Sequence, residues 1–220
     1  MCNLYNVTTT QEAIRQITRV ARDRAGNLEP SLNVYPNYDA PVVRLDGEGE
    51  RELVRLRWGM PTPPAFVKGK ADRGVTNIRN VGSPHWRRWL GPESRCLVPM
   101  TRFAEPSPTK DADGKTPNVW FELAGEEKLC CFAGLWTPWH GVRKVKDGPG
   151  DFELFGFLTT TPNAVVEPVH KKAMPVILTT REEFDTWLTA PWAEAKPLQR
   201  PLPDALLTIA AGGDTEEKSD

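Results

Sequence analysis

From Arg95 to Leu178 the chain returns to one pattern, an apolar run of strand length cut short by turn formers. "RCLVP", "NVWFEL", "KLCCFAGLW", "FELFGFLTTT" and "MPVIL" follow in that order, and most of them read as buried strands. Upstream, "NVYP" and "PVVRL" are short strand candidates. "LVRLRWG" alternates, with Val54, Leu56 and Trp58 on one face and Arg55 and Arg57 on the other, as in a half-buried strand with a basic outer surface. With 21 Pro and 17 Gly among 220 residues, turns interrupt the chain too often for a helical bundle. Strands outnumber helices. The expected class is α+β, a single domain with a bent, barrel-like, mostly antiparallel sheet flanked by short helices.

Three segments carry helical signals. Thr9 with Glu12 makes a capping-box pattern, and Ala13, Ile14, Ile17, Val20 and Ala21 follow at helical spacing. They predict a helix from about Thr10 to Arg22, stopped near Gly26. "SPHWRRWLG" has Ser83 at the cap, Pro84 at the first position and Gly91 at the stop, and "REEFDTWL" is a short amphipathic helix behind the last strand. From Gly212 onward the chain has no apolar anchor. Residues 1–211 are therefore expected to form the domain and 212–220 a disordered acidic tail. No apolar window is long enough to span a membrane and no secretory signal opens the chain, so the cytoplasm is the expected location.

The formal net charge of −1 speaks against unselective coating of nucleic acid. Its distribution is uneven. Residues 51–102 hold eleven Lys/Arg against three acids, a net +8, whereas residues 103–220 carry −7. Such a run is either a solvated face or a means of focusing a polyanion on one patch.

Of the four cysteines, Cys96, Cys130 and Cys131 sit in apolar strands and read as small buried hydrophobes. There is no C-x-x-C and no Cys/His pair at zinc spacing, so neither a metal nor another cofactor is expected. Cys2 is different, because no apolar strand surrounds it and it directly follows Met1. Once the methionine is removed, by an aminopeptidase or by the chain itself, residue 2 carries a free α-amine and a thiol on adjacent carbons. An α-amine has a pKa of about 8 against about 10.4 for lysine, so near neutral pH a substantial fraction is an unprotonated nucleophile. Attack on an aldehyde leads through a carbinolamine to an imine. The thiol can then close a five-membered thiazolidine, which outlasts a simple imine.

That chemistry needs a carboxylate to move protons, an imidazole facing an oxygen, and amide donors to hold the ring. Glu105 in "FAEPSP", His170 in "EPVHKKAMPVIL" and Asn77 in "TNIRN" are the candidates. Each has a plainer reading too, Glu105 as a solvated loop acid and Asn77 as a turn residue. His85 and His140 flank tryptophans and read as surface or packing residues. Spacing alone does not bring the four groups together.

Taken in order, "MC", "NVYP", "RWGM", "TNIRN", "RCLVPMTRFAEP", "FAGLW" and "VHKKAMPVIL" resemble the motifs of the SOS response-associated peptidase (SRAP) family, the abasic site processing proteins. The resemblance runs from Met1 to about Leu188. It implies a bent-sheet fold that binds single-stranded DNA and captures abasic sites as a thiazolidine crosslink on Cys2; separately, a monomer, at the nucleoid when bound, is expected. By the same resemblance Glu105 positions the α-amine and assists Schiff-base interconversion. His170 acts toward the sugar oxygen, Asn77 bonds near the Cys2 backbone, Arg79 and Lys172 meet the DNA backbone, and Pro36 stacks near the damaged nucleotide. The chain departs from the family pattern at Asn3-Leu4, where Gly-Arg is common, at Pro106 in place of tryptophan, and at Lys172 in place of arginine. Two other functions fit the same residues. One is a cysteine-type (auto)peptidase using Cys2, His170 and Glu105; the other is a non-covalent single-stranded DNA-binding module.

Overall fold

Frequent Pro and Gly keep the strands short. The computed structural model describes residues 2–29 and 32–211, and these hold fourteen strands and four α-helices. In chain order the first half contains β1 (Leu4–Val7), α1 (Gln11–Thr18), β2 (Arg22–Asp23), β3 (Leu32–Val34), β4 (Asp39–Leu45), β5 (Arg51–Trp58), β6 (Asn77–Ile78), α2 (Pro84–Arg87) and β7 (Arg95–Met100). The second half contains β8 (Arg102–Pro106), β9 (Asn118–Leu123), β10 (Cys130–Val142), β11 (Pro149–Thr160), β12 (Met174–Pro175), β13 (Ile177–Leu178), α3 (Arg181–Thr189), α4 (Trp192–Ala195) and β14 (Leu207–Ile209). The tail expected over 212–220 lies outside the described residues.

Antiparallel ladders run from β5 through β4, β7 and β10 to β11. β11 then returns to β5 in parallel register, with Leu154 opposite Arg57 and Phe155 opposite Trp58. That last pairing closes a five-stranded barrel, so these strands have no open edge along it. A second sheet, ordered β14-β9-β8-β1-β3 and antiparallel throughout, is reached from β7 through Thr101 alone. The α+β, barrel-like, mostly antiparallel expectation is met.

The core forms where the two sheets face each other. Tyr5 of the second sheet packs edge-on against Trp58 at 5.2 Å and Phe132 at 5.5 Å, both from the barrel. Phe103 stacks on Phe121 at 5.0 Å and reaches Phe132, which in turn stacks on Phe157 at 4.3 Å. Offset and edge-on contacts of this kind add to the stabilisation from burial itself. Cys96, Cys130 and Cys131 are wholly buried, as their strands implied.

Helix α3 lies behind the barrel, its start fixed by a capping box between Thr180 and Glu183. Its Trp187 is fully buried, and the indole Nε1–H is shared by the carbonyls of Cys96, at 3.0 Å, and Gly134, at 3.2 Å. A Cβ on Gly134 would lie 2.6 Å from the Cys96 Sγ, so only glycine lets β7 and β10 approach here. Trp187→Phe keeps most of the volume but leaves those carbonyls without their side-chain donor. It should lower unfolding stability by about 1–3 kcal/mol, read from the denaturant midpoint.

Two elements differ from the sequence expectation. α1 ends at Thr18, not Arg22, because Arg19 turns left-handed at φ 54°. Ala21 and Arg24 instead donate to Arg51 and Leu53 carbonyls, and β2 pairs in parallel with β5. A ladder to the barrel outweighs the helical spacing of Val20 and Ala21. The cap is Thr10, not Thr9, with Ala13 N–H donating to its hydroxyl. Likewise "MPVIL" is not one strand, since Met174–Pro175 joins β11 while Ile177–Leu178 joins β10. No described helix is long and apolar enough to cross a membrane.

Candidate active site

The start of β1 gathers residues that lie far apart in the chain. Pairing of β1 with β8 sets Leu4 opposite Ala104, so Cys2 and Asn3 run alongside Glu105 and Pro106. On the other flank, β6 pairs with β11 and aims Asn77 at the same point, its Nδ2–H donating to the Cys2 carbonyl at 2.8 Å. The neighbouring Thr76 hydroxyl takes the second Asn77 proton at 2.8 Å. Asn77 Oδ1 is buried and has no hydrogen-bond partner among the described residues.

Cys2 is only 1% exposed, and its thiol donates to the Leu4 carbonyl at 3.4 Å. The expectation that Cys2 stands clear of the core therefore fails, because β1 begins two residues later and draws it in. Burial pushes the thiol well above the ordinary cysteine value, and the charge of Glu105 pushes it further, partly offset by the backbone of Leu4 and, less strongly, of Ala104. Glu105 is no solvated loop acid either. It sits in β8, 1% exposed, where burial raises its carboxyl and the nearby His170 works in the opposite direction.

His170 is half-buried in the segment between β11 and β12. Its Nδ1 meets the backbone of Ala173, 2.9 Å from the carbonyl oxygen and 3.1 Å from the amide nitrogen. Cys2, Asn77, Glu105 and His170 are thus brought together, linked by a hydrogen bond and two electrostatic contacts.

Arg79 and Lys172 form a second group beside it. One Arg79 nitrogen donates to the carbonyls of Thr160, at 2.7 Å, and Lys172, at 3.0 Å, tying β6 to the His170 segment. Both side chains are exposed, as is Pro36, which lies in the turn after β3. Pro36 lies two residues past the β1–β3 ladder, which flanks β1 on the side away from β8 and Glu105. Surface cavities of about 730 Å³ and 490 Å³ are lined by other residues, including Arg57 and Trp139 in the first and Val81 and Trp192 in the second.

The model of the SOS response associated peptidase (SRAP) family matches residues 1–211. The chain belongs to that family. Family membership associates it with the SOS response and with DNA. Solved structures agree on the fold. One from Bordetella bronchiseptica is 23% identical with a TM-score of 0.73, covering 96% of this chain and 99% of its own. A protein from Bacteroides thetaiotaomicron is 21% identical with a TM-score of 0.68, over 94% and 90%. A phage-related protein from Bordetella bronchiseptica is 18% identical with a TM-score of 0.69, over 98% and 95%. None of the curated proteins compared matches.

In this SRAP chain the basic run is not uniform. Arg51, Arg57 and Arg102 pair with Asp185, Asp39 and Glu122, and Arg95 is buried, its guanidinium donating to the Ala190 carbonyl. Arg55, Lys68, Lys70, Arg73, Arg79, Arg87 and Arg88 are exposed and form no ion pair among the described residues. His140 pairs with Asp151 at 2.7 Å, and His85 packs between Trp86 and Trp89, matching their reading as surface and packing residues. No group of three or more His, Cys, Asp or Glu that could hold a metal occurs among the described residues. Sequence reading missed the backbone partners of the site, the Ala104 amide and Ala173, because main-chain groups carry no residue signature.

Proposed function

We propose that, once Met1 is removed, this chain captures abasic sites in single-stranded DNA by closing a thiazolidine on Cys2. One observation carries the reading: an amide and a carboxylate from separate segments reach the one residue able to present both amine and thiol, and an imidazole from a third segment acts on that carboxylate. The neutral amine attacks the aldehyde carbon of the ring-opened sugar. Glu105 takes a proton from nitrogen, and His170 delivers one to the departing oxygen, which leaves as water. Sulfur then adds to the imine carbon and its proton ends on the ring nitrogen. One amine, one thiol and one aldehyde give the ring and one water.

The electrostatics favour this order over a thiol protease. A cysteine nucleophile in a protease is a thiolate beside an imidazolium, with a depressed pKa. Here the strongest charge acting on the thiol is a carboxylate, and its effect is upward. The exposed cations of the basic run supply sequence-independent attraction for a phosphate backbone. Met1-trimmed protein mixed with a single-stranded abasic oligonucleotide should give a shifted band on a denaturing gel. Absence of that band, with the trimmed terminus verified by mass spectrometry, overturns the reading. An added N-terminal tag should abolish the band, since it acylates the amine and leaves the thiol.

A further inference from the structure

We propose that Tyr35 and Tyr38 form a nucleobase-stacking subsite beside Cys2, taking a base that flanks the captured sugar. The proposal rests on the single-strand reading above. The two rings are 43% and 54% exposed, among the most exposed large apolar side chains described. They are close to each other, with centroids 5.5 Å apart and planes at 62°. Apolar side chains scattered singly over a surface need no explanation; two aromatic rings held together in solvent do.

The turn that displays them is rigidly built. Tyr38 N–H donates to the Tyr35 carbonyl at 3.0 Å, and Asn37 takes the left-handed conformation at φ 69°. Asn37 N–H reaches the Trp58 carbonyl at 2.8 Å, and Trp58 N–H returns to the Tyr38 carbonyl at 2.9 Å. Trp58 is itself 1% exposed and stacks on Phe155 and Phe157. The rings are therefore mounted on the barrel core, and ordering them on binding costs little.

Their position points to the ligand. The β1–β3 ladder ends at the pair Tyr5–Val34, so Tyr35 opens the turn directly after the strand position opposite Tyr5, itself three residues from Cys2. A base one nucleotide away from a sugar held at Cys2 is within reach of this turn. At 62° the two rings cannot sandwich one base; one meets its face and the other its edge. Such stacking tolerates any base, because each has a π-face.

The test uses fluorescence anisotropy with a single strand carrying a tetrahydrofuran abasic analogue, which binds without reacting. Tyr35→Ala and Tyr38→Ala should each weaken binding about tenfold, while Tyr35→Phe and Tyr38→Phe stay near wild type. A second oligonucleotide set removes the base on one side of the lesion and then on the other. On one of these sides wild type should fall to the level of the alanine variants, which lose nothing further. Alanine variants that bind like wild type, or that lose affinity equally whether or not the flanking bases are present, overturn the subsite. If wild type crosslinks abasic strands while the tyrosine variants show no defect, only this inference fails. If wild type neither binds nor crosslinks single strands, the parent reading fails with it.

Discussion

Cys2→Ala, trimmed of Met1, is expected to lose the durable DNA adduct altogether while still binding the single strand. The variant keeps an α-amine, so the first step survives and an imine forms. Without sulfur it cannot close the ring, and the imine hydrolyses on denaturation. Reduction by cyanoborohydride during the incubation should therefore restore a shifted band in the variant, whereas wild type needs no reductant. A durable band from the unreduced variant would show that sulfur takes no part in the bond. Failure of the reductant to rescue it would show that sulfur, not nitrogen, attacks first. Binding should survive because, in the proposed reading, charge on the exposed cations and not residue 2 holds the phosphate backbone.

Glu105→Gln should slow adduct formation by about a hundredfold to ten-thousandfold, the usual range for a positioned proton-transfer group. The same change should stabilise the fold at neutral pH. Burial raises the Glu105 carboxyl above its unfolded value, so the fold favours its protonated form. Its contribution to stability is fully present below the unfolded pKa of about 4.3 and is lost as pH rises through the raised folded value. Glutamine stays neutral throughout and escapes that loss. The melting temperature of the variant should match wild type near pH 4 and exceed it at pH 7. A variant that melts lower than wild type at pH 7 contradicts this assignment of the buried carboxyl. Activity and stability then move in opposite directions at one position, as expected where a charge is buried for chemistry.

Much of the architecture could be read in advance, and the reason differs from element to element. The alternation in β5 survives intact because a half-buried strand imposes period two on its side chains. α3 keeps its expected span because its apolar face and its cap agree. α1 is cut short because Arg51 and Leu53 offer carbonyls that local spacing cannot reveal. The barrel was legible only as a class. Its closing ladder joins residues near 57 to residues near 154, and nothing in either segment names the other. At the candidate site, residue types and order pointed to Cys2, Asn77, Glu105 and His170, while their convergence required coordinates. The burial of Cys2 was misjudged because a strand four residues long leaves a weak apolar signal.

β1 is an interior strand, laddered to β3 on one side and β8 on the other. Chain ends usually fray, and a reactive group placed on one would sweep a wide volume. Here unzipping the amino terminus means breaking two sets of main-chain bonds at once. In the proposed chemistry the nucleophile at residue 2 is accordingly tied to the core, and much of the translational freedom it would otherwise surrender on meeting a carbonyl has already been given up when the protein folds.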